Sequence, residues 1–267
     1  MLENKTVLIT GASSGLGAAL ALEVCKRNGK AILIARNEKK LKNITKMIKA
    51  AQGDCQYYVA DLGKISEVKK VAKAIQKDFE FIDVIINNAG AGQWLEIEKT
   101  SMQEAEEMMR VPYFAAFHIT RAFIETMLEK NKGHIVNVTS PASEFYIPGA
   151  LAYSVGRWAM RGFSQALWAD LYGTNIKVSL FVAGKIASEY FKNNPGSEER
   201  IPGISKFIAT LSVEEAAKAL LDGVEKEKKM IIVPFMLKVF YLSSRFFPGF
   251  TRYLSVNTGY NRKKIKQ

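Results

Sequence analysis

The sequence predicts an α/β fold: a doubly wound, seven-stranded parallel sheet with helices on both faces. Three observations carry this expectation. Short apolar runs alternate with amphipathic helical stretches along the 267-residue chain. The runs are rich in Val and Ile and show little apolar–polar alternation, as expected of strands covered on both faces. A glycine-rich turn joins the first run to the first helix, where such folds receive phosphate groups.

The strands are expected at TVLIT (6–10), AILIA (31–35), QYYVA (56–60), DVIIN (83–87), HIVNV (134–138), IKVSLFV (176–182) and MIIV (230–233). Helices are expected near 16–28, 38–52, 64–79, 101–130, 151–172 and 212–227. In the last of these, Ser212 can cap the first turn while Glu215 closes a capping box. Strands separated by helices imply parallel crossovers, and no linker or repeat interrupts the alternation. We therefore expect one domain over residues 1–234 and a C-terminal extension over 235–267. The long irregular insert, about residues 184–211, follows the sixth strand. In such sheets ligands bind beyond the carboxyl ends of strands, so this insert is a candidate substrate lid.

Composition excludes several functions. The net charge of +12 is concentrated at the end of the chain: residues 228–267 hold nine Lys/Arg and no Asp or Glu, leaving +3 for the rest. A nearly neutral main domain argues against nucleic-acid binding. Cys25 and Cys55 lack metal-ligand spacing and are expected as reduced thiols. His118 and His134 sit in no ligand motif and are expected to be structural, so neither a metal site nor a histidine triad is expected. No secretory signal and no membrane-spanning run of about 18 apolar residues is visible. A cytoplasmic protein is expected, with peripheral membrane contact through the tail as one reading.

The turn TGASSGLG (10–17) carries the nucleotide expectation. Gly11, Gly15 and Gly17 permit a tight turn, close approach to a phosphate and packing of the helix on the sheet. Ser13, Ser14 and Leu16 complete the turn, and the helix N-terminus offers free N–H groups. Arg36 follows the second strand. An acidic residue there would hold both ribose hydroxyls of NAD(H), whereas an arginine favours the extra phosphate of NADP(H). Asn37 can add a hydrogen bond.

On these residues the chain resembles the classical short-chain dehydrogenases/reductases from about residue 4 to 235. Thr10–Gly17 matches T-G-x-x-x-G-x-G, and Asn87–Gly90 matches N-N-A-G. The resemblance implies a Rossmann-type fold, an NAD(P) cofactor and a homodimer or homotetramer. It places Asp61 and Leu62 beside the adenine, and Asn88, Ala89 and Gly90 in the cofactor site. FVAGKIAS (181–188) stands where the family usually reads Pro-Gly and then Thr. Gly184 remains, Ser188 substitutes for the threonine, and Ile186 meets the nicotinamide carboxamide through its backbone.

The family's Ser-Tyr-Lys set maps onto Ser140, Tyr153 and Arg157. Tyr153 matches the proton donor and Ser140 the group that orients a carbonyl. Positions 153 and 157 share a helical face, so a cation at 157 can act on the phenol and hold ribose hydroxyls. Arg157 replaces the usual lysine: its charge can act, but it cannot relay a proton. Pro112 occupies the place of the assisting asparagine. It frees the Met108 carbonyl, either to hold a water or as a plain kink.

Trp94, Phe145, Tyr146 and Ile147, with Tyr190, Phe191, Ile201, Ile204 and Phe207 of the insert, suit a hydrophobic small-molecule substrate or simply pack the loops. The tail, apolar on most sides and ending in RKKIK, suits a bilayer surface, a helix closing over the substrate site, or a partner subunit. The expected function is an NADP(H)-dependent oxidoreductase interconverting a lipophilic ketone and a secondary alcohol. The alternative is a catalytically impaired cofactor- or lipid-binding protein on the same fold.

Overall fold

The computed structural model describes residues 2–90 and 92–261. The Val- and Ile-rich runs form β1 (Thr6–Thr10), β2 (Lys30–Ala35), β3 (Asp54–Val59), β4 (Val84–Asn87), β5 (Gly133–Thr139), β6 (Ile176–Ala183) and β7 (Met230–Val233). They make one parallel sheet in the order β3-β2-β1-β4-β5-β6-β7. The order reverses beside β1, which pairs with both β2 and β4 (Ile9 opposite Leu33 and Ile86). That switch opens the crevice in which such sheets bind ligands.

Helices α1 (Gly15–Lys26), α2 (Glu38–Ala50), α3 (Ile65–Asp78), α4 (Met102–Met109), α5 (Ala115–Glu129) and α6 (Leu151–Asp170) cross between strands. A short α7 (Tyr190–Asn193), then α8 (Val213–Glu225), α9 (Phe235–Phe246) and α10 (Pro248–Asn257) complete the order. Two cores result. On one face Val7, Ile9, Leu33 and Phe181 meet Leu20, Leu220 and Leu221. On the other, Leu8, Ile34, Ile85 and Val178 meet Val68, Ile119 and Leu167. The central strands are buried without alternation, as expected. β3 differs: it is an edge strand, half-exposed, with Asp54 and Gln56 facing outward.

The expected capping box at α8 forms, with Ser212 accepting from the Glu215 N–H and Glu215 accepting in return. The helix expected over 101–130 is broken. A π-turn spans Arg110–Phe114, and Val111 is extended (φ −132°, ψ 104°). The cause is Pro112, whose ring disfavours helical backbone at the residue before it. Both histidines have structural surroundings. His134 is buried and hydrogen-bonded to Ser179 at 2.7 Å, and burial pushes it down to about 4. His118 stacks on Phe114. Both cysteines are free thiols whose pKa is raised by burial.

Candidate active site

At the end of β1 the backbone turns at Gly11 (φ 67°) and Gly15 (φ 53°), a region that side chains resist. A Cβ on Gly17 would stand 2.3 Å from the Gly11 carbonyl oxygen. Asn88 holds this turn: its amide donates to the Thr10 carbonyl at 2.9 Å. The Thr10 hydroxyl accepts from the Asn88 and Ala89 N–H groups. No side chain caps α1 at Ser14. The turn therefore presents an uncapped helix N-terminus to the cleft, a cradle that fits a pyrophosphate.

That cleft has a volume of about 1210 Å³, and all the candidate residues named above for catalysis and cofactor binding line it. Several have further duties that their spacing did not announce. The Asn37 side chain caps α2, accepting from the Lys40 N–H at 2.9 Å, so its oxygen is already engaged. An Asp61 oxygen accepts from the Gly63 N–H at 3.0 Å, fixing the loop after β3. Leu62 is buried beneath it. Arg36 is exposed at the cleft rim. Gly184 packs against Pro234 and Ile208, and Ile186 bridges to Leu211. Ser188 approaches Gly15, within 3.7 Å of where a Cβ there would stand.

One helix delivers the acid/base pair. Tyr153 and Arg157, one turn apart on α6, are both buried. The Arg157 guanidinium carbon lies 4.9 Å from the centre of the Tyr153 ring, a cation–π arrangement. Gly90 is what lets it enter: a Cβ there would come within 2.7 Å of a guanidinium nitrogen. The Arg157 Nε is buried without a partner among the described residues. The Ser140 hydroxyl accepts from the Ala142 N–H at 3.2 Å, capping the short turn Pro141–Ser143. A hydroxyl that accepts one bond still has its own proton to donate.

The Met108 carbonyl freed by the break packs against Gly156 of α6, where a Cβ would lie 2.4 Å from its oxygen. The break thus seats α4 on the helix that carries Tyr153.

A family model described as short chain dehydrogenase matches residues 5–199. The chain belongs to the short-chain dehydrogenase/reductase family. Among its relatives, it is 29% identical to estradiol 17-beta-dehydrogenase 11 of Mus musculus, covering 94% of this chain and 81% of that protein. Two solved structures share the fold. One is a short-chain dehydrogenase/reductase from Burkholderia phymatum in complex with NAD (TM-score 0.82, 21% identity, 94% of this chain and 96% of that one). The other is a short-chain dehydrogenase from Sphingobium yanoikuyae in complex with NADPH (TM-score 0.76, 22% identity, 97% of each).

Around Tyr153 this dehydrogenase/reductase builds an aromatic wall. The Trp94 ring lies 5.1 Å from that of Tyr153 and the Tyr190 ring 6.4 Å from it. Trp94 donates from its indole nitrogen to the Tyr190 hydroxyl at 3.1 Å, and Tyr190 donates to the Gly92 carbonyl at 3.3 Å. Burial, with the Tyr153 phenol as a neighbour, pushes the Tyr190 phenol well above its ordinary range. Its bulk was legible as apolar lining; its hydroxyl's place beside Tyr153 was not.

The extension also belongs to the site. Leu237 and Phe240 of α9, with Thr251, Leu254 and Ser255 of α10, line the cleft. Beyond α10, the Thr258 carbonyl accepts from the Gly203 N–H at 2.8 Å and its hydroxyl from the Ile204 N–H at 3.2 Å, fastening the insert. Tyr260 donates to the buried Glu96, which also pairs with Arg200 at 3.3 Å and Lys99 at 3.3 Å. Burial alone would raise the Glu96 carboxyl, but these donors hold it down at about 2. Sequence spacing gave no signal for this clasp, because Arg200 and Tyr260 lie 104 and 164 residues from Glu96. The basic run RKKIK (262–266) lies outside the described residues.

Proposed function

We propose that this enzyme uses NADP(H) to interconvert a lipophilic ketone and a secondary alcohol. The observation that carries the reading is the Tyr153–Arg157 pair, buried in the same cleft as Ser140 and the uncapped glycine turn. In reduction, Ser140 donates to the substrate carbonyl oxygen and fixes its direction. Tyr153 gives that oxygen its phenolic proton as the C=O bond becomes C–O–H. Arg157 stabilises the phenolate left behind, and its unpartnered Nε is a free donor that would hold the cofactor ribose. Arg157 keeps its own proton, so it acts on the phenolate by charge alone. The bound nicotinamide, when present, supplies the hydride.

Gly15, Leu16 and Gly17 would hold the pyrophosphate, and the exposed Arg36 favours the extra phosphate of NADP(H) over NAD(H). The lining of Trp94, Ile147, Ile201 and Leu237, together with the steroid-dehydrogenase name of the mouse relative, supports a lipophilic substrate. An outward apolar row on the π-turn, α5 and α6 (Phe114, Phe117, Leu151, Val155, Trp158) supports a homo-oligomer.

One observation favours a second reading, a cofactor-binding protein with an impaired catalytic set: the guanidinium covers the face of the Tyr153 ring. NADPH oxidation against a panel of hydrophobic ketones separates the two. The enzyme reading predicts turnover that Tyr153→Phe lowers by about a hundredfold or more. No turnover by the native protein, with activity appearing in Arg157→Lys, supports impairment.

A further inference from the structure

Helices α9 and α10 wear their apolar side chains on the outside. In α9 the buried positions are Leu237 and Tyr241, and the inner face is also tied down by polar bonds. Ser244 donates to Glu144 at 2.8 Å, Glu144 pairs with Arg161, and Arg161 stacks on Tyr241. Phe235, Val239, Leu242 and Phe246 recur at helical spacing on the opposite side, in solvent, and Phe246 is 76% exposed. The stripe continues through Phe247 into α10, where Thr251 and Ser255 face inward while Phe250 and Tyr253 stay more than 60% exposed. A water-facing helix pair is expected to show the reverse arrangement. Contiguous exposed apolar surface of this kind marks a contact with something else.

Charge selects the occupant. Lys238, Arg245 and Arg252 are exposed on the same two helices, and no acidic residue occurs anywhere from 228 to 267. A second copy apposed through this face would set cations against cations. An anionic bilayer receives the phenyl groups among its acyl chains and the cations among its headgroups. Among the described residues no helix is long and apolar enough to cross a membrane, so the contact lies in the plane of the surface.

We propose that the outer face of α9–α10 docks on an anionic lipid bilayer. Because the inner face of the same helices lines the cleft, docking sets the substrate cavity directly against the lipid. A lipophilic substrate then passes between membrane and cleft past α9 and α10. That passage rests on the ketone–alcohol reading; the docking does not.

The test is flotation of the full chain with vesicles of phosphatidylcholine containing phosphatidylserine, and with vesicles of phosphatidylcholine alone. Beside it runs the double variant Phe246→Asp/Phe250→Asp, whose two positions lie outside the cleft. The expected result is flotation on the anionic vesicles, weakened by salt and reduced at least ~tenfold in the variant. An unchanged thermal midpoint and unchanged NADPH binding in the variant show that its fold and cleft are intact. Three results overturn the proposal. These are a native chain that stays with the unbound fraction, a variant that floats as well as the native chain, and sedimentation that shows self-association through this face which the variant abolishes. Since flotation needs no turnover, an inactive protein that floats refutes the catalytic reading and leaves the docking standing.

Discussion

The cofactor end and the substrate end of this cleft are built on different principles. At the cofactor end, backbone does the work. Gly11, Gly15 and Gly17 shape a turn that Thr10 and Asn88 lock in place, and these locking bonds cross one strand pair. At the substrate end, side chains from distant segments meet. Tyr153 and Arg157 come from α6, Trp94 from the loop after β4, Tyr190 from the insert, and Leu237 from the extension. A backbone cradle tolerates few substitutions because a single Cβ collides with it. A wall of side chains can be rebuilt residue by residue.

Gly17→Ala is expected to have the largest effect of the tests that sharpen this contrast. Its Cβ would fall 2.3 Å from the Gly11 oxygen and 2.7 Å from the Asn88 amide nitrogen. The backbone carbonyl cannot yield without opening the turn, so overpacking costs about 1–3 kcal/mol. NADPH binding, followed by fluorescence titration, should weaken by at least ~tenfold, with a lowered unfolding midpoint. Full binding in this variant would show that the cradle is as adaptable as the substrate wall.

Arg36→Ala tests an exposed cation at the cofactor end. It is exposed, so the fold should not change. NADPH affinity is expected to fall about tenfold, equivalent to ~1.4 kcal/mol, while NADH affinity stays constant. Equal loss for both cofactors would remove Arg36 from the recognition of the extra phosphate.

The same contrast explains what could be read from sequence. The seven strands, the helices between them and the glycine turn were legible because short-range pattern fixes them. The break at Pro112 was legible in kind, but its seat at Val111 and the packing of the Met108 carbonyl on Gly156 depend on α6. The half-exposed β3 was not legible, since an edge position follows from topology. The capping role of Asn37 was masked by its reading as a hydrogen-bonding group for the cofactor. Tyr190 read as aromatic bulk and Tyr260 carried no reading, because nothing in the chain marks where a hydroxyl will find its partner.

The clasp at Glu96 joins this side-chain wall to the extension, and it yields a smaller, pH-dependent effect. Glu96→Gln keeps the shape but removes the charge that holds Arg200, Lys99 and the Tyr260 hydroxyl. At neutral pH the unfolding midpoint should drop by about 2–4 °C. Hydrogen exchange should quicken at Gly203 and Ile204, whose N–H groups are bonded to Thr258. The sign of the pH effect follows from the direction of the shift. The folded carboxyl is held at about 2, below its ordinary value of 4.5. Its contribution is therefore fully present above pH 4.5 and fades as pH falls from there toward 2. The gap between native and variant midpoints should be constant near neutrality and close progressively in acid. A gap that stays open in acid would mean that the clasp works by shape alone, and that the extension is held by the Thr258 backbone contacts without help from the buried charge.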